Sequence, residues 1–250
     1  ARDAENVGRD EQWWSEPVPD AQEKQARLTL QDVFPGYRGV AWYWRDLDVP
    51  EHPHEQGRYL LRFWAVNYKS DVWVNGTHVG EHEGGEDPFV LDVTGAVRPE
   101  AANTIALRVV NPGGVPIDGL VAGEIPQRGD GGIVDSVEFL CAPAVRVADV
   151  FARVDTSGTA RVETTVCNAS GETARAHLVV AIAQKESSQQ LDVAQVSREL
   201  DPGETMIETE VCVPNPRLWS PGEPNLYRLT TSVHAAGLDG VDEHVTNIGF

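Results

Sequence analysis

Methionine occurs once and cysteine three times in 250 residues, and 20 lysines and arginines face 39 aspartates and glutamates. Each shortage excludes something. Cys141, Cys167 and Cys212 cannot all pair, and no two stand at a CxxC or metal-ligand spacing, so neither a structural disulfide nor a cysteine metal site is expected. Cys167 and Cys212 fall inside apolar-alternating segments, where a cysteine serves as a small hydrophobe. The net charge of -19 repels phosphate backbones and anionic lipid, which argues against nucleic acid and membrane as partners. Neutral sugars carry no such penalty. No apolar run reaches the length of a membrane span and no charged-then-apolar leader opens the chain, so a soluble protein is expected. The compartment stays open between cytoplasm and, for an exported bacterial protein, periplasm or exterior. Absent too are a Ser-His-Asp constellation and a glycine-rich phosphate loop.

The helical i, i+3, i+4 spacing is almost missing, and period-two alternation takes its place. In Arg58–Val66, Tyr59, Leu61 and Phe63 share one face while Leu60, Trp64 and Val66 share the other, which predicts a central strand covered on both sides. Ser70–Val74 is a second strand, and Asn75-Gly76 after it suits a type I′ hairpin turn, so Thr77–Gly80 should pair back. Thr104–Val110 points Ile105, Leu107 and Val109 inward and Arg108 outward. After Cys141-Ala142-Pro143 the tryptophans vanish until Trp219 and strands recur at roughly 12-residue spacing. Those expected are Val145–Val154, Ala160–Cys167, Ala174–Gln184, Gln190–Leu200, Thr205–Val213, Leu226–Ala235 and Val241–Ile248, with Lys185–Leu200 beginning as either a hairpin tip or a short helix. Seven short strands in this length suit an immunoglobulin-like sandwich. The fold class expected is all-β, with a first domain over residues 1–142 and a second over 143–250. A (β/α)₈ barrel takes about 250 residues by itself, so none fits beside them.

Two runs are distinctive. One is Gly39-Val40-Ala41-Trp42-Tyr43-Trp44-Arg45 followed by Asp71-Val72-Trp73-Val74-Asn75-Gly76-Thr77-His78-Val79-Gly80-Glu81-His82-Glu83-Gly84-Gly85 and Asp87-Pro88-Phe89-Val90-Leu91-Asp92-Val93-Thr94. The other is Pro216-Arg217-Leu218-Trp219-Ser220-Pro221, Pro224-Asn225-Leu226-Tyr227 and the closing Ile248-Gly249-Phe250. Together they resemble the sugar-binding jelly roll and the following immunoglobulin-like sandwich of glycoside hydrolase family 2, over roughly residues 36–250. The resemblance implies a jelly-roll β-sandwich ahead of the immunoglobulin-like one, and a parent enzyme of the β-galactosidase, β-glucuronidase or β-mannosidase type whose catalytic barrel begins beyond Phe250. Its partners would be carbohydrate, that barrel and, in an oligomer, further copies of the chain.

Most of the first run is structural by its chemistry. Asn75-Gly76 builds a turn, Gly84-Gly85 lets the chain bend where a side chain would clash, and Pro88-Phe89 plugs an end of the sandwich. Trp73 reads as core, the alternative being a ring that stacks on a pyranose. Trp13 and Trp14 would anchor the tail to the jelly roll or to the barrel. His52 with His54, and His78 with His82, lack a third ligand and read as structural or solvated. Asn75-Gly76-Thr77 and Asn168-Ala169-Ser170 match the glycosylation pattern but coincide with turns.

The functional surface is expected in the 23-residue stretch Asn111–Ile133, too long for a plain connection. It carries Asp118, Glu124, Gln127, Arg128 and Asp130, and returns through Gly131-Gly132-Ile133-Val134-Asp135-Ser136-Val137, similar to the family's return into the sheet except for Asp135, where a bulky or basic residue is common. The resemblance implies that this loop leans toward the barrel mouth, with Asp130, Arg128, Glu124 and Asp118 as substrate-binding residues and Tyr37 as a further candidate. No catalytic residue and no metal site is expected. Retaining hydrolysis needs two carboxylates about 5 Å apart, and none here stands in the family's catalytic context. Two other readings stand beside it: a free-standing carbohydrate-binding or adhesion module, and a lectin whose Asp118, Glu124 and Asp130 bind calcium.

Overall fold

The structure, a computed structural model, describes residues 39–111, 131–187 and 189–250. Every regular element among them is a strand. The chain divides into two compact units, one of residues up to His52 with Tyr59–Leu140, the other of Pro53–Arg58 with Cys141–Phe250.

The first unit runs β1 (Gly39–Val49), β2 (Arg58–Phe63), β3 (Val66–Asn67), β4 (Lys69–Val74), β5 (Thr77–Glu83), β6 (Phe89–Asp92), β7 (Ala101–Asn111), β8 (Gly132–Ile133) and β9 (Val137–Ala142). It forms a four-stranded sheet β1-β7-β4-β5, a three-stranded sheet β6-β2-β9 and the short pair β3-β8. The sequence alternation decides the inner face. Tyr43, Val72, Val74, Ile105, Leu107 and Val109 of the larger sheet and Leu61 and Phe63 of the smaller are all at most 3% exposed. The Asn75-Gly76 turn has φ of 52° and 82°, the two positive angles a type I′ turn requires. Asn75 also ties the turn to its surroundings: its Nδ2 donates to Ala96 O at 2.8 Å and Asn103 Oδ1 at 2.7 Å, and its Oδ1 accepts from Thr104 N at 3.1 Å. Asn103, 2% exposed, completes the net by donating to Arg98 O and Ala101 O and accepting from Arg98 N. Every polar atom of the Asn103 amide is thereby bonded, the condition under which a buried amide is tolerated.

Two expectations for this unit are corrected. The strand starting at Arg58 ends at Phe63, and Trp64 is 41% exposed with the Arg62 guanidinium 5.6 Å from its ring centroid, so it fills no core. Trp73 lies on the face opposite Val72 and Val74, packed against Trp42 at 5.2 Å and His78 at 5.1 Å between centroids. His78 and His82 do not share a face: the register shift opposite Val72 and Trp73 sets His78 beside Trp73 and His82 beside the fully buried Ser70. A bulge of one residue reverses the side-chain parity of everything beyond it.

The second unit runs β10 (Val145–Val154), β11 (Thr159–Asn168), β12 (Ala174–Gln184), β13 (Gln190–Leu200), β14 (Gly203–Cys212), β15 (Tyr227–Ala235) and β16 (Asp242–Ile248). Sheets β10-β11-β14 and β13-β12-β15-β16 enclose a core of Val162, Val166, Leu178, Val180, Ile182, Leu200, Val211, Leu229 and Val233. The strands fall within two residues of those expected, and Gln190–Leu200 is strand, with a turn at Lys185-Glu186. Asn168, 1% exposed, uses its whole amide internally: Nδ2 donates to Glu172 O and Leu200 O, and Oδ1 accepts from Ser170 N and Oγ. The glycosylation pattern here is therefore a turn lock, as at Asn75. All three cysteines are free. Cys212, expected as a small core residue, is instead exposed, because the inward register of β14 runs through Ile207, Thr209 and Val211.

Candidate functional site

The two ends of the stretch between β7 and β8 meet at one rim of the first unit. β7 ends at Asn111, 9% exposed, and the chain returns at Gly131, where a Cβ would overlap the Asn111 side chain. Only glycine permits that approach. Val66 then faces Ile133 and Asn67 faces Gly132 in the β3-β8 pair. Val134 and Asp135 N–H both donate to Ala65 O, and Trp64 N–H donates to Ser136 O at 2.9 Å. On the other side of Asn67, a Cβ on Gly85 would sit 2.9 Å from its Oδ1, and one on Gly84 would sit 3.0 Å from His82 Nε2. Gly84 N–H donates to Tyr68 O, and Tyr68 N–H to Val110 O. The expected bend at Gly84-Gly85 thus has a cause: two glycines admit the side chains of Asn67 and His82.

Aromatic groups stiffen this rim. Phe89 is stacked between Phe63, at 4.7 Å, and His82, at 4.2 Å. Burial pushes the His82 imidazolium down from its ordinary value, with the Asp87 carboxylate opposing, and its Nε2 is buried without a hydrogen-bond partner. The Arg62 guanidinium bridges the Trp64 ring and Glu138, 3.4 Å away. On the outer face of the larger sheet, Trp44, Trp42, Trp73 and His78 form a row of touching rings, beside which Asp71 holds Arg108 at 3.1 Å and His78 at 3.6 Å. Beside the rim, the Arg62–Glu138 pair and the exposed Trp64 ring are suited to hydrogen-bonding hydroxyl groups and packing against apolar C–H faces.

The residues expected to touch substrate, Asp118, Glu124, Arg128, Asp130 and Tyr37, lie outside the described residues, as do Trp13, Trp14 and Gln127. What the structure adds is the framework at the loop's two ends. Asn67 and the Arg62–Glu138 pair went unnoticed in the sequence, and its alternation predicts a covered Trp64; a polar Asn between two strand segments is the one signal that could have marked Asn67. The histidine pairs read as structural or solvated have different surroundings. His52 packs edge-on against Tyr59 at 4.6 Å while His54 Nδ1 is 3.5 Å from Asp239. Among the described residues no group of three or more His, Cys, Asp or Glu could hold a metal ion.

In the second unit the Pro216–Tyr227 run is pinned by Arg217 N–H donating to Tyr227 Oη at 2.8 Å, Asn225 Nδ2 to Leu218 O at 3.0 Å and Trp219 N–H to Phe250 O at 2.6 Å. A Cβ on Gly249 would come within 2.8 Å of the Trp219 side chain. Even so, Leu218 and Trp219 remain 48% and 49% exposed, an apolar pair on the surface beside the last residue.

Comparison with known proteins bears directly on this arrangement. The family model for the sugar binding domain of glycosyl hydrolases family 2 matches residues 24–122, and the model for glycosyl hydrolases family 2 matches residues 145–250. A β-galactosidase of Thermoanaerobacter pseudethanolicus is 27% identical over 213 residues, covering 80% of this chain and 26% of that protein. A β-glucuronidase of Canis lupus familiaris is 31% identical over 121 residues, covering 44% of this chain and 19% of that protein. The crystal structure of a Bacteroides uniformis β-glucuronidase superposes with a TM-score of 0.71 at 25% identity, over 86% of this chain and 26% of that one. The chain thus spans about a fifth to a quarter of the length of the curated relatives it matches. Two matches in succession to models of one family, on a fold shared with its solved relatives, establish that the chain belongs to glycoside hydrolase family 2, of whose β-glycosidases it carries the sugar-binding domain and the β-sandwich domain that follows.

Proposed function

We propose that this chain is the non-catalytic front of a retaining β-glycosidase acting on a terminal β-linked galactose, glucuronic acid or mannose. The observation that carries the reading is the succession of the two family matches along a chain whose relatives are several times longer. In this reading Asp130, Arg128, Glu124 and Asp118 supply polar contacts to the substrate and Tyr37 a further one, which the close approach of Asn111 and Gly131 at the two ends of the stretch carrying the first four supports. The exposed Leu218–Trp219 pair beside Phe250 braces the catalytic barrel, which contributes both carboxylates.

The test is kinetic. The pure chain is expected to leave nitrophenyl β-galactoside and β-glucuronide uncleaved. In the parent enzyme, Asp130→Ala or Arg128→Ala should lower kcat/KM by about tenfold or more, as expected for loss of a charged hydrogen bond to substrate. Turnover by the pure chain, or unchanged kcat/KM in both variants, defeats the proposal. Saturable sugar binding by the chain alone, without turnover, would favour the free-standing binding module instead.

A further inference from the structure

On the outer face of the four-stranded sheet of the second unit, His177 of β12 stands directly opposite His234 of β15. The imidazole centroids are 5.2 Å apart with the planes at 62°. His177 is half-buried and His234 exposed. Ser197 of β13, opposite His177 on its other side, places its Oγ 2.9 Å from His177 Nδ1. Three adjacent strands thus carry the row Ser197, His177, His234.

We infer that this row is a divalent transition-metal site, with His177 and His234 as ligands and Ser197 as the group that orients His177. The spacing supports it. With metal–nitrogen bonds of about 2.0–2.1 Å and a ring nitrogen roughly 1.2 Å from its centroid, two imidazoles on one tetrahedral zinc ion have centroids about 5 Å apart. The hydrogen bond supports it as well. A metal-bound histidine holds its tautomer by donating its other ring N–H to a neighbour; when Nδ1–H donates to Ser197, the lone pair of Nε2 is left for a ligand. Both ligands sit on the two interior strands of the sheet, paired with each other, so the backbone ladder fixes their separation. Of the flanking charges, Arg175, two residues before His177 on the same face, has Glu199 as its cross-strand neighbour, and Glu243 stands opposite Ser232, two residues before His234, adding a negative charge that favours a cation. Two protein ligands leave the remaining positions to water, which makes the site exchangeable. Imidazole selects zinc, nickel or copper over magnesium or calcium.

The chain, stripped by chelator and titrated with zinc near neutral pH, should bind one ion with micromolar affinity. The imidazole NMR signals of His177 and His234 should move before those of the other histidines. His177→Gln and His234→Gln, both on the sheet surface, should each weaken binding by at least about tenfold, and Ser197→Ala by a smaller factor. Magnesium should produce no shift, and acidification should release the zinc because only neutral imidazole ligates. Absence of any shift at His177 and His234 up to millimolar zinc overturns the inference, and so does an affinity unchanged in both glutamine variants.

Discussion

The two units solve the same problem, closing a β-sandwich, with different material. The first buries Tyr43, Tyr59 and Phe63, stacks His82 on Phe89, and holds its turns with the buried amides Asn67, Asn103 and Asn111. The second fills its core with Val, Leu, Ile and Ala around Tyr227 and Phe250, on strands joined mostly by short turns. Aliphatic packing in regular alternation specifies a sandwich and little else. Aromatic and amide groups in a rim cost more to satisfy, and they appear where a long loop must be held at both ends. Both units contain register shifts and buried polar residues, but only in the first do buried amides and stacked aromatic rings gather where Asn111 and Gly131 meet, the rim of the candidate site.

The largest expected effects probe the two cores. Phe63→Ala in the first unit should cost about 3–5 kcal/mol and Leu178→Ala in the second about 2–5 kcal/mol. Trp42, Trp44, Trp64 and Trp73 all lie in the first unit, so tryptophan fluorescence should register Phe63→Ala strongly and Leu178→Ala weakly. Equal response to both would dissolve the distinction between the units. Next come the buried amides. Asn103→Ala strands the Nδ2 of Asn75 and the backbone groups of Arg98 and Ala101, and should destabilise by about 1–3 kcal/mol in urea unfolding. Asn168→Ala should do likewise in the second unit through Glu172, Leu200 and Ser170.

Acid should separate the units by different routes. His82 has its folded pKa pushed below 6.5 by burial, so as pH falls through 6.5 the unfolded chain takes up a proton that the folded one does not. Its contribution is therefore present above 6.5 and lost progressively below it. His82→Phe, which keeps a ring against Phe89, should flatten that part of the pH profile. In the second unit Asp155 is held below 3.8 by the hydroxyl of Ser157 and the backbone of Thr159, so its contribution survives until pH falls under 3.8. Asp155→Asn should leave stability between neutrality and pH 4 with no added slope. The smallest effect is on the outer face of the β10-β11-β14 sheet. Arg161→Ala, breaking a 3.3 Å pair with Glu210 between exposed side chains, should change stability by no more than about 1 kcal/mol, and less in high salt.

The second unit was almost fully legible in the sequence because turns such as Asp201-Pro202-Gly203 punctuate strands that alternate cleanly. The first was legible where Asn75-Gly76 and Ile105, Leu107 and Val109 set turn and face. It misled where local pattern and environment parted: Trp64 continues an alternation that the backbone ends one residue earlier, and Trp73 is a large apolar ring on the side away from the core. The candidate site was legible as a loop of unusual length, while the polar framework at its ends was not. Asn67 and Gly85, or Asn111 and Gly131, are distant in sequence and meet only once the strands pair.

The sequence by itself determined the all-β class, the positions of the turns and the alternation along most strands, because side-chain period and turn chemistry are local properties. Only the tertiary structure decided which faces were covered, that a bulge parts His78 from His82, and that His177 and His234, 57 residues apart, stand side by side. Strand register is a relation between distant segments, and no local pattern carries it.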